Sequence, residues 1–211
     1  VECYEEKDIV VFDTETTGLD VFADYIVQIA AVKMRKGRVV PDSAFVAHLT
    51  TSREIPAMLG DIVNPIIEER KHHTLIANDE ALRQFMNYAE GAVLLAHNAD
   101  YDYPILENIL RRYCPHISLE LHHPHYLDSL RLVRLLHPEL KEHKLKYLLG
   151  AFGLEGENSH LADDDVNATC GVVAHCYEAA KERLAEQQRF LSLEQTRRHA
   201  SALNNAYGAF Y

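Results

Sequence analysis

Two hydrophobic periods divide the chain. Short β-branched apolar runs fill the first fifty residues, and apolar positions three and four residues apart fill most of the length beyond Asp79. Ile9-Val10-Val11-Phe12 precedes Asp13 and a Thr-Thr-Gly turn, which predicts a buried strand running out into a loop. Tyr25 to Met34 reads as a second strand, and Lys36-Gly37 as a hairpin turn into Phe45 to Leu49. The chain therefore opens as an antiparallel sheet. From Asp79, Leu82, Phe85, Met86 and Ala89 keep helical spacing until Gly91 closes the helix. Ala92 to Ala96 is a buried strand, followed by a helix from about Pro104 to Tyr113 with Ile105, Leu106, Ile109 and Leu110 on one face. This alternation predicts an α/β sheet with a parallel part. The remainder is helical in pattern: Ser129 to Leu136, Leu145 to Phe152, Asp163 to Ala180, and Lys181 to about Arg198.

With 211 residues, 47% of them apolar, the chain can bury a full core as one domain. We expect that domain over residues 1–180, with a helical extension over 181–211. In the extension, Leu203, Ala206, Tyr207 and Phe210 either dock on the core or cover a partner surface. Runs such as Ile9 to Phe12 fall far short of the roughly 20 apolar residues that span a bilayer, so no membrane association is expected. The formal charge of −11, without a dense basic block, argues against tight independent binding to long nucleic acid. Cys3, Cys114, Cys170 and Cys176 form no CxxC and no signal peptide opens the chain, which together predict a cytoplasmic protein with reduced thiols. Val at position 1 leaves open whether the chain is a piece of something longer.

Three acidic segments carry the candidate chemistry. Asp13 and Glu15, two residues apart on an extended chain, point to one face. Two carboxylates about 4 Å apart repel by roughly 4 kcal/mol at an effective dielectric near 20, so such a pair calls for a cation or a shared proton. The alternative is a strand that has ended, with Asp13 in a turn and Glu15 in water. A second acidic strand end lies in His97-Asn98-Ala99-Asp100-Tyr101-Asp102, where ligands gather in open α/β sheets, although helix capping also explains its aspartates. The third is His160-Leu161-Ala162-Asp163-Asp164-Asp165 at a helix start, where the five-residue spacing of His160 and Asp165 invites a joint role.

FDTETTGL at 12–19, HNADYD at 97–102 and HLADDD at 160–165, in this order, resemble the three motifs of the DnaQ-like DEDDh exonuclease superfamily. The resemblance covers about residues 7–180. It implies a ribonuclease H-like fold: a mixed sheet of three antiparallel and two parallel strands with helices on both faces. It also implies a metal-dependent 3′-to-5′ exonuclease that releases nucleoside 5′-monophosphates. Residue by residue, the family pattern falls on Asp13 and Glu15, on Asp102, and on His160 with Asp165, leaving Asp100, Asp163 and Asp164 as spectators or caps. The spacing of His160 marks the histidine rather than the tyrosine branch.

Four carboxylates carry −4 and two divalent ions +4, and oxygen donors suit Mg²⁺ or Mn²⁺. An imidazole titrates in the range useful for taking a proton from water, which makes His160 the candidate general base. By the same resemblance Thr16, Thr17 and Leu19 receive the 3′ end, and His97 and Asn98 touch the scissile phosphate; otherwise the first three form a solvent-facing turn. Many relatives carry a His-Gly-Ile-Thr element between the first two motifs. Here the nearest stretch, Met58 to Asn64, lacks the histidine.

ETTGL after Asp13 favours the DNA proofreading and repair branch over the oligoribonuclease branch. The expected partner is therefore the 3′ end of single-stranded DNA, with a polymerase, helicase or other replication or repair protein in cis or in trans. The competing readings are an exoribonuclease for short RNA and a non-catalytic module that binds nucleic-acid ends. Cys114, His116, His122, His123 and His125 match no common metal spacing and are expected in a surface loop, as is His72-His73.

Overall fold

The computed structural model describes residues 7–208, and side chains to residue 198 apart from residue 196. Its centre is β1 (Ile9–Thr16), whose apolar half is buried on both faces as a central strand requires. The strand does not stop at Phe12. Asp13, Thr14 and Glu15 stay paired with Ala30, Ile29 and Gln28 of β2 (Ile26–Arg35), and an irregularity follows at Glu15/Thr16. The two acids are thus held inside the sheet by backbone pairing.

Lys36 and Gly37 both have positive φ, as a tight hairpin turn demands. They return the chain onto a two-residue strand, β3 (Arg38–Val39), rather than directly into Phe45 to Leu49. A Cβ on Gly37 would meet the Tyr177 ring, so side-chain packing as well as backbone conformation favours glycine there. β4 (Phe45–Leu49) pairs antiparallel with the other half of β2. The connection that follows was not legible from periodicity. It holds the hairpin of β5 (Met58–Leu59) and β6 (Ile62–Val63), the single turn α1 (Ile66–Glu69), and β7 (Leu75–Ile76), parallel to β4.

Helix α2 (Asn78–Tyr88) leads to β8 (Val93–Ala96), parallel to β1. Next, α3 (Ala99–Tyr113) starts five residues before the expected Pro104, immediately after Asn98 in the left-handed region. Pro104 therefore lies inside the helix, where it cannot donate to the carbonyl of Asp100. Burial of Ile105, Leu106, Ile109 and Leu110 offsets that loss. After the short α4 (Leu119–His122), β9 (Tyr126–Asp128) pairs parallel with β8, and Asp128 caps α5 (Ser129–Leu136) by accepting from the Leu130 N–H. The helices α5 and α6 (Leu145–Phe152) have the expected bounds.

The sheet order is β7-β4-β2-β1-β8-β9, with β3 also on β2. Five of its strands form the expected set of three antiparallel and two parallel strands: β4, β2 and β1, then β8 and, at the edge, β9. One face buries Val10, Phe12, Ile29 and Leu49 against α2 and α3. The other buries Ile9, Val11, Ala30 and Val32 against the long helix α7 (Ala162–Gly208), which also packs on α5 and α6.

No break occurs in α7 near Ala180, where the sequence pattern separates two helices. Neither Gly nor Pro falls between Val172 and Tyr207, and the helix runs on, with Leu184, Phe190, Leu191 and Leu193 exposed. Cys3 and Phe210 lie outside the described residues, as do the side chains of Leu203, Ala206 and Tyr207. No described helix is long and apolar enough to cross a membrane.

Candidate active site

The odd-numbered positions of β1 face α7, so Asp13 and Glu15 follow Ile9 and Val11 onto that side of the sheet. The first turn of α7 brings Asp165 to them. Asp13, Glu15 and Asp165 each offer a carboxylate oxygen within 4.8 Å of the others. Gln28 fixes the approach of the helix, because its side-chain oxygen accepts from the Ala162 N–H and its amide donates to Asp163.

Asp102 comes from the first turn of α3. It is outside the 4.8 Å group, but one of its oxygens accepts from both the N–H and the hydroxyl of Thr14, at 3.2 and 2.6 Å. The early start of α3 makes this contact possible. Asp100 is drawn away by Arg131, at 2.6 Å, and Asp164 accepts from the Ser159 hydroxyl. The three expected spectators, Asp100, Asp163 and Asp164, thus have other partners.

Burial and mutual repulsion raise every carboxyl in the cluster. Asp13 is pushed well above the usual range by burial, then by Asp102, Glu15 and Asp165. Burial, with Asp165 and Asp102 beside it, takes Glu15 to about 8. Asp102 rises to about 7 through burial, although the Thr14 hydrogen bonds oppose the shift. Asp165 is raised by burial against the hydrogen bond from Asn158, made at 2.7 Å to one oxygen. Its other oxygen is buried and has no partner among the described residues. An orphaned carboxylate oxygen among crowded acids fits a hard divalent cation, which would satisfy the oxygen and neutralise the charge.

These groups bind more protons folded than unfolded, so stability falls as pH rises from the ordinary carboxylate range through the folded values. Without metal, the protein is expected to melt at a lower temperature at pH 8 than at pH 5. Thermal melts in EDTA check this, and a metal-free melting temperature that climbs across the interval would refute the cluster's burdened state.

His160 stands in the loop before α7 with a positive φ of 61°, an uncommon conformation for a side-chain-bearing residue. Its charge and its backbone N–H both act to lower the Asp165 pKa, which places it beside the cluster.

The turn after β1 departs from expectation at Thr17. That side chain is buried, its hydroxyl donates to Asp24 at 2.8 Å and accepts from the Tyr25 N–H, and its own N–H bonds the Tyr25 carbonyl. It shapes the turn, and its hydroxyl and N–H are both engaged within it. The Thr16 hydroxyl is shared between the Gly18 carbonyl and Tyr101. Leu19 is 88% exposed and Phe22, which the motif reading missed, 76% exposed.

His97 is also committed: one ring nitrogen meets the Ser129 hydroxyl at 2.8 Å and the other the His143 carbonyl at 3.0 Å. Burial lowers its pKa. With both nitrogens engaged it braces the β8 loop against α5 and has none left for a phosphate. Asn98 is exposed and gives its backbone N–H to Asp128.

Thr14, Gln28, Asn158 and Asp24 were also missed. Asp24 is buried, accepts from Thr17 and the Asp20 N–H, and pairs with Arg53 at 3.2 Å. A Cβ on Gly18 would strike the Asp24 carboxylate at 2.5 Å, so the turn closes only with glycine at that position. From the suggestive cluster near residue 120, His123 is buried against the Ala92 carbonyl and Cys114 donates to the Asp79 carbonyl.

Residues 10–173 match the exonuclease family, RNase_T. The chain belongs to the exonuclease family. Among curated relatives, this exonuclease is 34% identical over 168 residues to the PolC-type DNA polymerase III of Latilactobacillus sakei, a match covering 78% of this chain and 11% of that protein. It is 31% identical over 179 residues to the PolC-type enzyme of Clostridium perfringens, covering 85% and 12%. The chain thus spans about a tenth of the length of these relatives.

Among solved structures, Escherichia coli exonuclease I in complex with a dT13 oligonucleotide aligns with a TM-score of 0.64 at 21% identity, covering 86% of this chain and 43% of that one. Cell-death related nuclease 4 aligns at 0.65 and 13% identity, covering 80% and 63%. These likenesses establish the fold. The exonuclease is of the DnaQ-like DEDDh kind on a ribonuclease H-like sheet.

Proposed function

We propose that this exonuclease removes nucleotides from the 3′ end of single-stranded DNA as nucleoside 5′-monophosphates, using Mg²⁺ or Mn²⁺ held by Asp13, Glu15, Asp102 and Asp165. The observation that carries the reading is the convergence of half-buried and buried, mutually repelling carboxyls around a buried Asp165 oxygen that has no partner among the described residues. Bound divalent ions supply neutralisation of phosphoryl charge and stabilisation of the leaving oxygen.

The chain's own groups do the rest. Thr14 fixes one oxygen of Asp102, and Asn158 fixes one oxygen of Asp165 while leaving the other to ligate. Standing beside Asp165, His160 takes the proton from the attacking water. Leu19 and Phe22, exposed on the turn held by Asp24, offer an apolar edge to the terminal base. The PolC-type DNA polymerase III relatives support a setting beside a polymerase.

Matched single-stranded DNA, double-stranded DNA and short RNA, labelled at either end, test the reading with Mg²⁺, Mn²⁺ and EDTA. Stepwise loss from the 3′ end of single-stranded DNA, abolished by EDTA, is the expected result. Preferential loss from RNA would move the assignment to an exoribonuclease. Binding of ends without hydrolysis would make the chain a recognition module.

A further inference from the structure

On the same face of the sheet as the acidic cluster, the pairing of β1 with β2 and of β2 with β4 sets Glu15, Gln28 and His48 in one row. At about 4.8 Å per strand, His48 lies roughly 10 Å from Glu15. It lines a separate cavity of about 190 Å³ together with Gln28, Glu69, His73 and Asp163.

His48 is only 3% exposed, yet neither ring nitrogen has a hydrogen-bond partner among the described residues. Buried imidazoles are almost always bonded, so an orphan lining a cavity of mixed polar and apolar walls calls for a ligand. Two donors stand beside it. The His73 ring stacks on His48 with centroids 4.3 Å apart, and its Nε2 lies 2.6 Å from a Glu69 carboxylate oxygen. One ligand atom from each of His48, Glu69 and His73 falls within 4.8 Å of the others.

We infer that His48, Glu69 and His73 form a second metal site, distinct from the acidic cluster and selective for Zn²⁺ or a similar borderline transition metal. Two imidazoles and a carboxylate are the donor set such ions prefer, whereas the all-oxygen cluster suits Mg²⁺. Burial lowers the His48 pKa, a shift toward the neutral form that ligates. Parallel rings do not aim their in-plane lone pairs at one point, so ligation turns His73 off the stack. Its side chain, 44% exposed, has room to turn.

The consequence is a clamp. His48 belongs to the sheet, while Glu69 and His73 belong to the long connection between β4 and β7, which Arg70 also fastens through the Val27 carbonyl. Zinc would pin that connection to the sheet two strands from the acidic cluster.

Zn²⁺ titration of the full chain carrying Asp13→Ala and Asp165→Ala tests this site apart from the proposed catalytic ions. One equivalent is expected to bind in the presence of excess Mg²⁺, with the His48 imidazole resonances shifting on addition. Adding His73→Ala, and separately Glu69→Gln, is expected to weaken binding by at least about 100-fold, since losing a direct ligand costs no less than losing an outer-sphere partner. Both residues are partly exposed, and circular dichroism verifies the fold of each variant. Absence of Zn²⁺ binding in the carboxylate-depleted chain, or binding that ignores both substitutions, overturns the site whatever the nuclease assays show.

Discussion

Asp13→Ala is expected to abolish hydrolysis and, in the absence of metal, to make the protein more stable at pH 8. The two effects have one cause. Asp13 is half-buried among Glu15, Asp102 and Asp165, and desolvation and repulsion both oppose its ionisation. For Glu15, a rise from 4.5 to about 8 corresponds to on the order of 5 kcal/mol against the charged form at high pH. Removing one member relieves the rest, so the variant's metal-free melting temperature should rise. Activity moves the other way. Loss of a carboxylate proposed to hold metal should lower turnover by more than the 10² to 10³ typical of a single transition-state hydrogen-bond donor. Wild-type turnover in Asp13→Ala would refute the assignment of the cluster, and a destabilised variant would make Asp13 a structural group.

His160→Ala should separate proton transfer from metal binding. A general base contributes typically 10² to 10⁴ in rate, and His160 is not among the carboxylates proposed to hold the ions. We therefore expect a loss of that size in single-turnover rate, with metal-dependent thermal stabilisation intact. The wild-type rate should climb with pH over the range where imidazoles deprotonate, and the variant should lack that limb. An unchanged limb in the variant would transfer the base role to another group.

Much of this was legible in the sequence because the strongest signals are long-lived in physical terms. Four adjacent apolar residues before Asp13 can only be a buried strand, and α5 and α6 declare themselves by apolar positions on one face. The spacing of the two acids on β1 was enough to place them on one face, although pairing with β2 rather than a loop keeps them there.

What stayed hidden depends on contacts that no period records. β3, β5, β6 and β7 are two residues each, too short to show alternation. Pro104 suggested a helix start, but the left-handed Asn98 begins α3 earlier, and that shift is what lets Asp102 reach Thr14. Motif matching assigned Thr17 and His97 outward roles, whereas tertiary partners at Asp24, Ser129 and His143 absorb their polar atoms. His73 looked like an ordinary surface residue until β4 placed His48 beneath it.

The central claim is that Asp13, Glu15, Asp102 and Asp165 act as one metal-holding centre. Electron paramagnetic resonance during Mn²⁺ titration of the full chain and of its Asp165→Ala variant tests it most directly. Two ions per wild-type chain with magnetically coupled signals, reduced to one or none in the variant, is the predicted result. The same number of uncoupled ions in both proteins would contradict it.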